Sequence, residues 1–112
     1  MLDVIKSSAD ITRVFKQGKR FGRGSGMLLV LEIDERHGEP GRVAFVAGKK
    51  LGNAVWRNRA KRRMRAASQQ LGLPIEGCDV VFVANKRTND IEFTSMIDGY
   101  RKALHQAGLE EG

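Results

Sequence analysis

The chain has 112 residues, the length of one ordinary domain, so we expect a single domain over residues 1–112. One cysteine, Cys78, excludes an intramolecular disulfide and a multi-cysteine zinc site, and no apolar run approaches the ~20 residues that cross a bilayer. These features indicate a cytoplasmic protein, and the formal net charge of +7 points to a polyanionic partner.

The first predicted helix covers Ser8 to Gln17. Ser7 and Asp10 have the spacing of a capping box, and Gly18 is a typical C-terminal stop. Apolar side chains recur on one face of this segment, at Ile11, Val14 and Phe15. We therefore expect a short amphipathic helix that packs this face inward.

Three segments have the composition of strands, and a fourth is less regular. The less regular one, Gly18 to Gly26, contains four glycines and predicts an irregular strand or loop. Met27 to Ile33 and Arg42 to Ala47 are short and apolar, as strands are. Because Asp34 to Gly41 is rich in turn residues, we expect the latter two strands to pair with each other in antiparallel fashion. Asp79 to Ala84 is apolar on both faces, which predicts a central strand.

Two further helices complete the predicted fold. One begins after Asn53, a good N-cap, and extends to Leu71, where Gly72 and Pro74 end it. Its narrow apolar stripe consists of Trp56, Ala60, Met64, Ala67 and Leu71. The other covers Ile91 to Ala107, with an inward stripe at Phe93, Ile97, Tyr100 and Leu104. The element order predicts an α+β fold, a two-layer sandwich of a small mixed sheet and helices.

The positive charge is concentrated in one segment. From Lys49 to Arg65 there is no acidic residue and there are eight basic ones: Lys49, Lys50, Arg57, Arg59, Lys61, Arg62, Arg63 and Arg65. The other residues hold 12 basic and 13 acidic side chains, a net charge of −1. A merely solvated helix face would mix both signs, whereas a one-sign cluster carries self-repulsion that a bound polyanion compensates.

The residue types in this cluster suit nucleic acid. Arginine has a rigid fork that grips phosphate, and an exposed asparagine such as Asn58 can reach a base edge or a sugar hydroxyl. Lys49, Lys50 and Gly52 precede a helix start, where backbone N–H groups bind phosphate and a glycine permits close approach. These features indicate nucleic-acid binding without separating RNA from DNA.

The cluster also carries a family resemblance. Lys49 to Arg65 resembles the signature of the bacterial ribonuclease P protein family: a lysine pair, Gly-Asn-Ala-Val, then Arg-Asn-Arg and Lys-Arg at fixed offsets, with a later arginine. The match is nearly complete over 17 residues. The first predicted helix also resembles the first helix of the family, at Asp10, Val14, Phe15 and Gly18.

This resemblance implies a fold, a partner and a reaction. The fold is similar to the second domain of ribosomal protein S5, with a left-handed crossover. A monomeric protein binds one large catalytic RNA, and this holoenzyme is an endoribonuclease that removes the 5′ leader of precursor tRNA with Mg²⁺ held mainly by the RNA. No protein residue is then catalytic. The residues implied to bind the catalytic RNA are Lys49, Lys50, Asn53, Arg57, Asn58, Arg59, Lys61, Arg62 and Arg65.

The resemblance also implies a cleft for the single-stranded leader, lined by the first helix, the sheet and the basic helix. The residues at its positions are Ile11, Phe15, Lys16, Phe21 and Leu29. The family usually has aromatic residues at Ile11 and near Leu29, so base stacking here would depend on Phe15, helped by Phe21. From the residues alone Phe15 is a core residue, and both interpretations stay open.

Other functions have weaker support in the sequence. A structural RNA-binding protein of ribosomal type would share the basic helix but would have no leader cleft or processing role. A protein-only nuclease needs paired carboxylates or a histidine pair, and His37 and His105 have no partner visible in the sequence. We interpret Cys78 as a small buried hydrophobe, and Trp56 as a core or rim residue, with RNA stacking as the alternative.

Overall fold

The computed structural model describes residues 8–22, 27–32, 41–72 and 78–108. These contain three helices, α1 (Ser8–Gln17), α2 (Ala54–Gln70) and α3 (Phe93–Gln106). Four strands accompany them: β1 (Lys19–Phe21), β2 (Met27–Glu32), β3 (Arg42–Val46) and β4 (Cys78–Val83). No helix within the described ranges is long and apolar enough to cross a membrane. The predictions for Ser7, His37, Pro74 and the 34–40 turn lie outside the described residues.

The helix boundaries follow local signals. α1 has the predicted bounds, and the Gly18 N–H donates to the Val14 carbonyl at its end, 2.8 Å away. α2 begins where the Asn53 side-chain oxygen accepts a hydrogen bond from the Trp56 N–H at 2.9 Å, as predicted for an N-cap. Gly72, with φ of +75°, follows its end, a left-handed conformation that suits glycine. α3 starts two residues later than predicted and ends one residue earlier.

The sheet has the strand order β1-β2-β4-β3. β4 pairs with β2 in antiparallel and with β3 in parallel fashion, so the prediction that β4 is central is confirmed. The prediction that β2 and β3 pair with each other is wrong, because β4 lies between them. The physical reason is that β4 is buried along five of its six residues: helices cover both of its faces, and the central position pairs both of its edges with other strands.

The parallel pair is made by a crossover through α2. A parallel connection needs a long return path, and the β3–α2–β4 unit provides it. Arg42 and Asp79 fix the start of this pair, with Arg42 Nε 3.0 Å and Nη2 2.8 Å from the two carboxylate oxygens of Asp79. The left hand of the crossover stays a prediction.

Two groups of buried side chains lie on opposite faces of the sheet. On one face Val43, Val80 and Phe82 pack against α2 and α3, forming the larger core. On the other face Val14 of α1 packs against Ala44 and Val81. The sheet with α2 and α3 forms the two-layer sandwich, and α1 covers part of the opposite face. The predicted α+β architecture with a small mixed sheet is therefore confirmed.

Candidate nucleic-acid interface

The helix α2 has a buried and an exposed side. Ala60, Met64 and Ala67 are fully buried, and Trp56 and Leu71 are half-buried against the same core, so the predicted apolar stripe is confirmed. The opposite side has no acidic residue and exposes Asn58, Arg59, Lys61, Arg62 and Arg65, while Arg57 is half-buried. Packing of the apolar stripe thus turns most of the cationic groups toward solvent.

A shallow groove runs along the exposed side of α2. It is lined by Val55, Asn58, Lys61, Arg62 and Arg65. Among the described residues Val55 is the one large apolar side chain that is exposed, at 75%. The groove therefore combines cations and an amide with an apolar contact, which suits the phosphates, edges and ribose faces of an RNA strand.

The segment before α2 is a short 3-10 turn at Lys49–Leu51, followed by Gly52 and Asn53. Lys49 and Lys50 are exposed, and they extend the cationic side of α2 beyond its N-terminus. The Asn53 side chain is exposed, but its oxygen caps the helix. The cap engages this oxygen and leaves the amide NH₂ group of Asn53 available to a ligand.

Gly52 has a packing role. A Cβ built at this position would lie 2.8 Å from Cγ and 2.9 Å from Cβ of Trp56. Its φ of 170° is extended backbone that any residue adopts, so the close approach of the indole is the reason for glycine here. The sequence interpretation, that this glycine lets phosphate approach, needs correction: its close neighbour is Trp56.

An apolar surface lies on the α1 side of the sheet. Ile11 and Phe15 of α1 are half-buried and pack against the cluster of Val14, Ala44 and Val81. Val46 and Val83, the last residues of the parallel strands, are half-buried against the same cluster. Lys16 is exposed next to Phe15 on α1. The backbone of Leu29 pairs with Val81 on β4, and its side chain lies outside the described atoms. The structure thus places Ile11 and Phe15 on the face of the sheet that also carries Val46 and Val83, at the carboxyl ends of β3 and β4.

Phe21 lies elsewhere. In the sheet register it pairs with Leu28, which pairs with Phe82, and Phe21 packs against the core that α2 and α3 cover. Paired residues point to the same face and successive residues alternate. The prediction that Phe21 lines one cleft with Ile11 and Phe15 is therefore wrong, because it is on the opposite face of the sheet.

The comparisons with known proteins agree with this geometry. The sequence model of the family described as Ribonuclease P matches residues 2–108. The chain belongs to the ribonuclease P protein family. A ribonuclease P protein component from Symbiobacterium thermophilum is 35% identical over 106 residues, covering 94% of this chain and 90% of that protein. One from Gluconacetobacter diazotrophicus is 31% identical over 107 residues, covering 94% and 90%.

Solved structures of ribonuclease P proteins have the same fold. The Staphylococcus aureus protein superposes with a TM-score of 0.78 at 25% identity, covering 99% of this chain and all of that one. The Thermotoga maritima protein gives a TM-score of 0.72 at 22% identity, covering 98% and 99%, which supports the fold alone. The family is the protein subunit of the endonuclease that processes the 5′ end of tRNA, with the ribonuclease P RNA as its partner. The ribosomal-type alternative gains no support.

Arg63 is a basic residue of α2 that points inward. It is half-buried, and its two terminal nitrogens donate to the carbonyl oxygens of Thr88 and Ile91. Nearby, Asn89 Nδ2 donates to the Trp56 carbonyl at 2.9 Å. The hydrogen bonds of Arg63 therefore connect the loop between β4 and α3 to α2. The position of Arg63 within the basic cluster of the sequence did not indicate this structural role.

This loop exposes two cations that the sequence interpretation missed. Lys86 and Arg87 follow β4, just as Lys49 and Lys50 follow its parallel neighbour β3. The carboxyl ends of parallel strands lie at one edge of a sheet, so these four cations share that edge. The parallel pairing of β3 and β4 is the signal that identifies them, and the sequence pattern alone had suggested a different pairing.

The other reactive side chains of the described residues lie apart from the cationic side of α2. Cys78 is buried with a reduced thiol, and His105 is exposed on α3. Burial raises the pKa of the Tyr100 hydroxyl far above its ordinary value, and the charge of Arg63 lowers it by less. Tyr100 is therefore neutral at physiological pH. In the described part of the chain, no group of three or more His, Cys, Asp or Glu could hold a metal ion.

Proposed function

We propose that the catalytic RNA binds the basic surface, defined as the exposed side of α2 and the turn before it. Its members are Lys49, Lys50, Asn53, Arg57, Asn58, Arg59, Lys61, Arg62 and Arg65. The observation that carries this proposal is a 17-residue helix without acidic residues whose apolar stripe packs against the core. Guanidinium forks and ammonium groups would hold phosphates, and Asn58 would reach a base or sugar between them.

We propose further that the leader of precursor tRNA lies in the leader cleft, formed by Ile11, Phe15, Val46 and Val83 with Lys16 at its side. These apolar side chains are half-buried, which leaves surface for a base to stack on. Lys16 supplies a cation for the leader phosphates. Because Ile11 is aliphatic, Phe15 would be the aromatic residue of α1 on which a leader base stacks.

Phe15→Ala tests the leader cleft. We expect the variant to stay folded and to bind the catalytic RNA normally, because Val14 is the fully buried anchor of α1. Affinity of the holoenzyme for precursor tRNA should fall by ~1–3 kcal/mol, the value of one stacked base, while affinity for mature tRNA should not change. The measurement is the dissociation constant for substrates with and without a leader of several nucleotides.

Val14→Ala is the matched control for this test. Because Val14 is fully buried, we expect this variant to lose about 2 kcal/mol of unfolding free energy without discriminating between the two substrates. If Phe15→Ala behaves like Val14→Ala, with equal losses on both substrates or a collapsed melting transition, Phe15 is a core residue.

We propose that Mg²⁺ is held mainly by the RNA, and that one monomeric protein joins each RNA in the cytoplasm. The charge of the basic surface supports the first point, since Mg²⁺ takes carboxylate and phosphate oxygens and α2 offers cations. The protein would then position RNA and neutralise its phosphates, and the metal would supply the activation of water for phosphodiester hydrolysis.

Reconstitution of the holoenzyme tests whether catalysis depends on the RNA and its Mg²⁺. The protein alone should not cleave precursor tRNA, whereas the matching catalytic RNA with the protein should cleave it at lower Mg²⁺ than the RNA alone, leaving a 5′-phosphate on the mature tRNA. The measurement is cleavage across a Mg²⁺ titration with RNA, protein or both. EDTA-sensitive cleavage by RNA-free protein that survives nuclease treatment would overturn the proposal.

A further inference from the structure

Arg65 is the member of the basic surface that lies on an aromatic ring. Its guanidinium carbon is 5.4 Å from the ring centroid of Phe45, within the ~6 Å range of a cation–π contact. Phe45 is half-buried on β3, an edge strand of the sheet, and Arg65 is exposed on α2. The contact therefore joins a surface cation to the sheet beneath it.

The ring of Phe45 is itself held by the core. Its centroid lies 5.4 Å from that of Phe82 at an interplanar angle of 34°, and Phe82 meets Tyr100 edge-on at 5.0 Å and 82°. Phe82 and Tyr100 are at most 1% exposed. Phe45 is thus the outer member of a row of three packed rings, and it offers Arg65 a fixed platform.

Such a platform changes what Arg65 can do. A free arginine side chain loses roughly 2 kcal/mol of rotamer entropy when a ligand fixes it. A guanidinium that lies on a ring has lost part of that freedom before binding, and its N–H groups still point outward in its own plane. Arg65 also lines the groove on α2, and among the described residues no carboxylate pairs with it, so its N–H groups are available to a ligand there.

We propose that Phe45 is a positioning residue for RNA binding: its ring holds the Arg65 guanidinium in the orientation that receives a phosphate of the catalytic RNA. The inference rests on the proposed role of Arg65 in the basic surface. Lysine would not serve in this place, because its ammonium is a point charge without a planar fork.

A double-mutant cycle tests the proposal. Phe45→Leu, Arg65→Ala and the double variant are titrated with the catalytic RNA, and thermal unfolding is followed for each. Phe45→Leu should weaken binding by about two- to fivefold, the equivalent of a surface cation–π contact. In the Arg65→Ala background the same change should have no effect. Phe45→Tyr, which keeps the ring, should restore the affinity.

Phe93→Leu is the matched control, since Phe93 is a half-buried aromatic residue that packs against the same core from α3. It should leave RNA affinity unchanged. If Arg65→Ala does not weaken RNA binding, the basic-surface assignment of Arg65 fails. If Arg65→Ala weakens binding but Phe45→Leu has no effect, or the same effect in both backgrounds, the positioning role of Phe45 alone is wrong.

Discussion

Replacing Arg57, Arg59 and Lys61 together by alanine is expected to weaken binding to the catalytic RNA by on the order of 10²–10³-fold. Each side chain should hold one phosphate, so the slope of log affinity against log salt should fall by about three counterions, or about one for each single substitution. The measurement is the dissociation constant at several salt concentrations, together with the thermal unfolding of the variant.

Arg101→Ala and Lys102→Ala provide the control, since both residues are exposed and basic but lie on α3. They should change affinity and salt slope little. If they weaken binding as much as Arg59→Ala and Lys61→Ala do, the charge of the protein acts diffusely. The basic surface would then not be a specific site.

Arg63→Met is expected to lower the free energy of unfolding by roughly 3–5 kcal/mol. Hydrogen bonds from a charged donor are worth about 1.5–3 kcal/mol each, and this change removes two and leaves the carbonyl groups of Thr88 and Ile91 without that donor. The loop that carries Lys86 and Arg87 should loosen as well. Equilibrium denaturation measures the first effect, and hydrogen exchange at residues 85–91 measures the second.

Arg62→Met is the matched control, because it removes the same charge from the neighbouring, exposed position of α2. Its stability should change by no more than about 0.5 kcal/mol, while its affinity for the catalytic RNA should fall. Equal stability of the two variants would contradict the structural role of Arg63.

The helices and the basic surface were predictable because their signals are local. The Asn53 cap, the Gly18 and Gly72 stops and the 3.6-residue apolar stripe of α2 depend on residues a few positions apart. The family resemblance is likewise confined to one continuous segment, from Lys49 to Arg65. The sequence by itself thus determined the three helices, the concentration of charge and the family.

Tertiary structure decided the features that join distant parts of the chain. The placement of β4 between β2 and β3 separated the expected pair, and the register placed Phe21 on the face opposite Phe15. Arg63 turned inward because its acceptors are on a loop some 25 residues later. Strand pairing and the burial of a cation depend on which remote backbone is adjacent, and a local pattern does not contain that information.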